Sequence, residues 1–105
     1  MKILFLANHF NTGGISSYLL TLTRGFIDAG HGVYALTSGG NLVGSFESLG
    51  GKHFEFGFRV KSDGDPRIYF SLPHAETFAK LGIDVVHSNT RAGQIMGERY
   101  AKHLN

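Results

Sequence analysis

Four times along the chain an apolar run of strand length gives way to a stretch of helical period, and each junction is marked by Gly, Asn, Ser or Pro. Alternation of this kind predicts βα units and a parallel sheet. The first run, Lys2 to Ala7, is uninterrupted in its apolar character after the lysine, as expected of a central strand covered on both faces. From Ile15 to Ala29, the residues Ile15, Leu19, Leu22, Phe26 and Ile27 recur at spacings of three and four, which predicts one apolar face of a helix. Gly30 follows and supplies the left-handed stop common after helices.

A second strand is expected from Val33 to Thr37, and Ser38-Gly39-Gly40-Asn41 forms the next turn. A short helix over Leu42 to Leu49 would group Leu42, Phe46 and Leu49 and end at Gly50-Gly51. The third strand, His53 to Phe58, sets Phe54, Phe56 and Phe58 against His53, Glu55 and Gly57, an alternation that places it nearer an edge. Arg59 to Asp65 is the most polar stretch and reads as a loop. Pro73 would break a helix interior, so a helical turn is expected over Ile68 to Leu72, with a restart at Pro73 and an end at Gly82. The fourth strand is Ile83 to His87, and Thr90 can cap a last helix whose Ala92, Ile95, Met96, Tyr100 and Leu104 keep the period of 3.6.

Four βα units with right-handed crossovers imply an α/β, three-layer, Rossmann-like domain: a four-stranded parallel sheet in the order 3-2-1-4 with helices on both faces. The order reverses between the strand ending at Ala7 and the strand ending at His87. In open α/β sheets the crevice for ligands lies outside such a point. Two segments are therefore expected to meet there, His9 to Ile15 and His87-Ser88-Asn89-Thr90.

The 105 residues, 42% of them hydrophobic, suffice for a single domain with one core. The net charge of +2 is scattered along the chain without a basic cluster, so no nucleic-acid partner is expected. Without cysteine there is no disulfide framework and no thiolate zinc site. The six histidines show no two-histidine helical spacing, so no metal is expected. The opening apolar run breaks at Asn8-His9 without a cleavage pattern, and no run reaches the ~18 residues of a transmembrane helix. A soluble, cytoplasmic protein is the expectation.

The most informative stretch is Asn8-His9-Phe10-Asn11-Thr12-Gly13-Gly14-Ile15. A strand feeding a double-glycine turn into a helix sets bare backbone N–H groups at a helix N-terminus, where a phosphate or another anion can sit. His9, Asn11 and Thr12 line this turn and are candidates for contact with a substrate. Thr90 could meet a ligand hydroxyl as well as cap its helix, and Arg91 in the same first turn could meet an anion. Arg59, Lys61 and Arg67 could hold an acidic ligand, although such a group is ordinarily a solvated surface. The turn is not G-x-G-x-x-G, and Thr37-Ser38 stands where a dinucleotide-binding strand would end in an acid. No P-loop motif is present, and Ser16 and Ser17 lack a nucleophile-elbow pattern.

The strand and Gly13-Gly14, the helix with Leu19 and Leu22, then Ala29-Gly30-His31-Gly32-Val33-Tyr34-Ala35-Leu36-Thr37 and finally Gly82-Ile83-Asp84-Val85-Val86-His87 together resemble the start of a retaining, nucleotide-sugar-dependent glycosyltransferase of the two-domain GT-B architecture, family 4 type. The resemblance covers nearly the whole chain. It implies that the first domain binds a hydroxyl acceptor, that a second domain binds the nucleotide-sugar donor, and that transfer occurs in the cleft between them, with no further cofactor. It implies that Gly13 and Gly14 face the donor's diphosphate and that His87 is the active-site histidine bonded to the transferred sugar. Many relatives carry a second histidine two positions later, where this chain has Asn89, an amide that binds hydroxyls but moves no proton.

Residues 1–105 are then expected to form the acceptor-side Rossmann-like domain, truncated and inert without its C-terminal partner domain. The alternative is a stand-alone, non-catalytic βα module that binds a phosphate-bearing ligand or a protein partner. A related sugar-nucleotide epimerase would need acidic catalytic residues that the chain does not offer. The last strand would lie at an open edge, which favours self-association. Relatives of this kind often act on lipid-linked acceptors, so a peripheral place at the membrane stays open for the parent enzyme, although no amphipathic basic helix here declares it.

Overall fold

The computed structural model describes residues 1–56, 72–88 and 91–104, with backbone alone for 91–93. Its elements are β1 (Lys2–Leu6), α1 (Gly14–Asp28), β2 (Gly32–Thr37), α2 (Val43–Ser48), β3 (Lys52–Glu55), α3 (Ala75–Leu81), β4 (Val85–Ser88) and α4 (Arg91–Leu104). The strands form one parallel sheet in the order β3-β2-β1-β4, as the alternation of apolar runs and helical periods implies. The fold is α/β and Rossmann-like.

β1 is central because it is apolar on both sides. Ile3, Phe5 and Ala7 turn toward α1 and α2, where they bury Leu19 and Phe46, and Leu4 and Leu6 turn toward α3 and α4, where they meet Phe78, Met96 and Tyr100. Each of these β1 residues is at most 5% exposed. Two packed layers of helix around one sheet thus follow from the alternation of Cβ directions along a single strand.

The helix stop at Gly30 is a Schellman motif. Gly30 takes φ +88, its N–H bonds the Ile27 carbonyl, and the His31 N–H reaches back to the Phe26 carbonyl at 2.9 Å. α1 begins at Gly14, one residue earlier than the apolar period implies. Its buried side runs through Ser16, Leu19 and Thr23, while Ile15, expected on that face, is 48% exposed.

Three boundaries differ from expectation for physical reasons. β4 starts at Val85 rather than Ile83; ahead of it Asp84 grips β1 twice, its N–H on the Lys2 carbonyl and its carboxylate accepting the Lys2 N–H, each at 2.8 Å. β3 spans Lys52–Glu55, beginning opposite Tyr34, and Phe56 follows it with its N–H on the Thr37 carbonyl, while Gly57 and Phe58 of the expected strand lie outside the described residues. α3 starts after His74, a left-handed residue, so Pro73 stands before the helix, where its carbonyl accepts the Tyr100 hydroxyl at 2.6 Å. The expected helical turn over 68–72 and the polar stretch 59–65 lie outside the described residues, apart from Leu72. Among the described residues no helix is long and apolar enough to cross a membrane.

Candidate functional site at the tips of β1 and β4

The parallel register places Phe5 beside His87 and Leu6 beside Ser88, so the ends of β1 and β4 are neighbours in the sheet. This is the point where the strand order reverses. The carboxyl ends of β1 and β4 therefore lie side by side at the edge where α/β sheets bind ligands. His87 faces the α1 side and packs edge-on against Phe5, ring centroids 5.5 Å apart. Val85, on the same side of β4, is 38% exposed.

The segment after β1 is fastened to the segment after β2. Backbone bonds run from the Phe10 N–H to the Gly39 carbonyl, from the Leu42 N–H to the Phe10 carbonyl and from the Ser38 N–H to the Asn8 carbonyl. Phe10 anchors this pairing, fully buried, with its ring 5.2 Å from that of Phe46. Gly40 permits the close approach, because a Cβ there would run into the backbone carbonyl of Phe10.

Asn41, absent from the sequence-based candidates, completes the junction. Its Oδ1 accepts the Thr12 N–H at 2.9 Å, its Nδ2 donates to Thr12 Oγ1 at 2.9 Å, and its own N–H donates to Asn11 Oδ1 at 3.1 Å. The side chains of Asn11 and Thr12 are thus occupied within the protein, holding the stretch that enters the glycine turn. The only sequence signal was the recurrence of Asn in two turns, and nothing local pairs positions 29 and 30 residues apart.

Gly13 and Gly14 open α1 without strain. Neither has a left-handed φ, a Cβ on Gly14 would meet nothing within 4 Å, and one on Gly13 would come no closer than 3.9 Å to the Asn11 carbonyl. Packing among the described residues therefore requires neither glycine. α1 has no side-chain cap and no acidic residue in its first turn. Its first backbone bond runs from the Ser17 N–H to the Gly13 carbonyl at 2.9 Å, so the N–H groups of Gly14, Ile15 and Ser16 precede the helical ladder.

A hollow of about 250 Å³ lies at this turn, lined by Ala7, Asn8, His9, Ile15 and Ser16. Within it, His9 Nδ1 accepts the Asn11 N–H at 3.2 Å, which in the neutral ring leaves the proton on Nε2 as a donor. A larger hollow of about 430 Å³ lies between α1 and α2, lined by Leu20, Thr21, Arg24, Ser45, Ser48 and Leu49, away from the strand tips. Asn89, Thr90 and the Thr90 cap lie outside the described residues, as do Arg59, Lys61 and Arg67, while Arg91 begins α4.

Thr37, at the end of β2, is fully buried. Its Oγ1 accepts the Gly39 N–H and lies 2.7 Å from His53 Nε2. Burial holds His53 below its usual pKa of 6.5, with His74 acting in the same direction and Glu47 and Glu55 opposing. Among the described residues no cluster of His, Asp and Glu is arranged to hold a metal ion.

The chain is similar in fold to the crystal structure of a glycosyltransferase from Rickettsia africae ESF-5, with a TM-score of 0.66 and 19% sequence identity. The likeness takes in 99% of this chain, which spans 27% of the length of that one. No family model matches the chain, and no curated protein matches it. At this identity the shared property is the fold, and the fold of this chain is glycosyltransferase-like.

Proposed function

We propose that these residues form the acceptor-side, N-terminal domain of a nucleotide-sugar-dependent glycosyltransferase of GT-B type, one wall of a cleft that a second domain closes. The observation that carries this reading is the pairing of β1 with β4 at the sheet's carboxyl edge: the strand that leads into the uncapped N-terminus of α1 is the neighbour of the strand that carries His87. The glycosyltransferase-like fold supports it.

Transfer breaks the bond between the anomeric carbon and a diphosphate oxygen, forms a bond to an acceptor oxygen, and leaves negative charge on the departing diphosphate. Backbone N–H groups of Gly14, Ile15 and Ser16, fixed at the positive end of the α1 dipole, suit that charge. The absence of any packing need for Gly13 and Gly14 favours a turn left bare for a ligand to approach. His87 offers an imidazole that hydrogen-bonds sugar hydroxyls, and its Phe5 neighbour sets the ring's orientation. Alone, one wall supplies neither the full positioning nor the full charge stabilisation that transfer needs, and these residues by themselves are inert.

The test is sugar transfer by the intact gene product from nucleotide-sugar donors, with and without His87→Ala. Transfer that falls in the variant supports the reading, and unchanged transfer removes His87 from it. Phosphate binding without any transfer by the intact product would favour the non-catalytic module instead.

A further inference from the structure

Ser16 is 2% exposed and faces the hollow between the tip of β1 and the first turn of α1. Two other hydroxyls of α1 are satisfied by the preceding turn: Thr21 donates to the Ser17 carbonyl and the equally buried Thr23 donates to the Leu19 carbonyl at 2.7 Å. The Ser16 hydroxyl has no hydrogen-bond partner among the described residues. Burying a hydroxyl without a partner is costly, and folded proteins keep few of them.

Asn8 also lines the hollow, and around it the turn offers a group of donors. The N–H groups of Gly14, Ile15 and Ser16 lie ahead of the first helical bond, with no capping side chain and no acid in the turn to satisfy them. His9, its Nδ1 taken by the Asn11 N–H, presents Nε2–H. This group of donors matches an anion whose oxygens are acceptors only.

We propose that Ser16 and His9 are the side-chain donors of an oxyanion cup built on the glycine turn, and that the group it takes is a phosphate of the bound ligand. The inference rests on the reading of the turn as ligand-facing. It adds that recognition is made by the Ser16 hydroxyl and the Nε2–H tautomer of His9, beside the backbone. A hollow of about 250 Å³ has room for a phosphate and the group joined to it, and too little for a whole nucleotide.

The test is amide NMR of the 105-residue chain titrated with pyrophosphate, run beside thermal melts of the ligand-free variants. Pyrophosphate is expected to shift the amides of Gly14, Ile15 and Ser16. Ser16→Ala and His9→Phe are each expected to weaken binding by about tenfold or more. Ligand-free Ser16→Ala should melt at the same temperature as the parent or higher, since it removes a hydroxyl the fold does not use. Binding that survives intact in either variant, amides that do not shift up to the solubility of the probe, or a Ser16→Ala protein that melts lower or fails to fold would each overturn the inference. Amide shifts need no sugar transfer, so a chain that transfers nothing can pass this test and an active enzyme can fail it.

Discussion

His87 on β4 sits directly across the ladder from Phe5 on β1, and the two rings meet at an interplanar angle of 80°. The contact fixes the imidazole beside the end of the central strand, on the α1 side of the sheet. Replacing His87 by Ala removes both a packing partner and a hydrogen-bonding group, and His87→Phe removes only the latter. Both variants are expected to lower sugar transfer by the intact gene product by about 10- to 100-fold, the value of one or two hydrogen bonds made in the transition state. His87→Phe should keep the melting temperature of the parent, and initial rates beside thermal melts separate the two effects.

Gly14 and Gly40 should respond in opposite ways to a methyl group. At Gly14 a Cβ meets nothing within 4 Å, and alanine is the better helix former by about 0.5–1 kcal/mol. Gly14→Ala should therefore leave stability unchanged or raise it while weakening pyrophosphate binding. At Gly40 a Cβ strikes the Phe10 backbone, and Gly40→Ala should destabilise by about 1–3 kcal/mol. Urea unfolding of the two variants checks both signs.

Asn41 ties the second turn to the first through its side-chain oxygen and nitrogen. Asn41→Ala should cost about 1 kcal/mol of stability, a modest figure because the site is exposed. The larger effect should be local, with faster hydrogen exchange at the Thr12 amide and weaker anion binding at the neighbouring turn. Exchange rates equal to those of the parent at Thr12 would show that the turn keeps its shape without Asn41.

The lowered pKa of His53 makes stability depend on pH. Burial disfavours the charged ring in the folded protein, so below the usual histidine value of 6.5 the unfolded chain binds more protons than the folded one. Stability attributable to this group is complete above that value and declines as pH falls through it toward the folded-state value. His53→Gln should flatten the decline below the usual histidine value of 6.5. Urea midpoints at a series of pH values measure it, and equal slopes in parent and variant would assign the dependence to other groups.

The strand order is legible because β1 is apolar on both sides and β3 is not, which sends one to the centre and the other to an edge. The adjacency of the two strand tips follows from that order. Less legible was the buried side of α1, where hydropathy assigns Ile15 to the core and overlooks Ser16 and Thr23. Thr23 is invisible to an apolar period because it satisfies its hydroxyl on its own helix, and Ser16 because its burial serves no apolar packing. Asn41 escaped notice because its partners lie in another βα unit, and the grip of Asp84 on Lys2 ahead of β4 joins residues 82 positions apart. Local periodicity carries elements and their order, whereas contacts between loops are set by the assembled sheet.

A crystal structure of the protein with a nucleoside diphosphate bound is the most direct measurement of whether the tips of β1 and β4 form a ligand wall. A phosphate with its oxygens within about 3 Å of the Gly14, Ile15 and Ser16 N–H groups is the expected result. A nucleotide seated instead in the hollow between α1 and α2, with the first turn of α1 untouched, would contradict it.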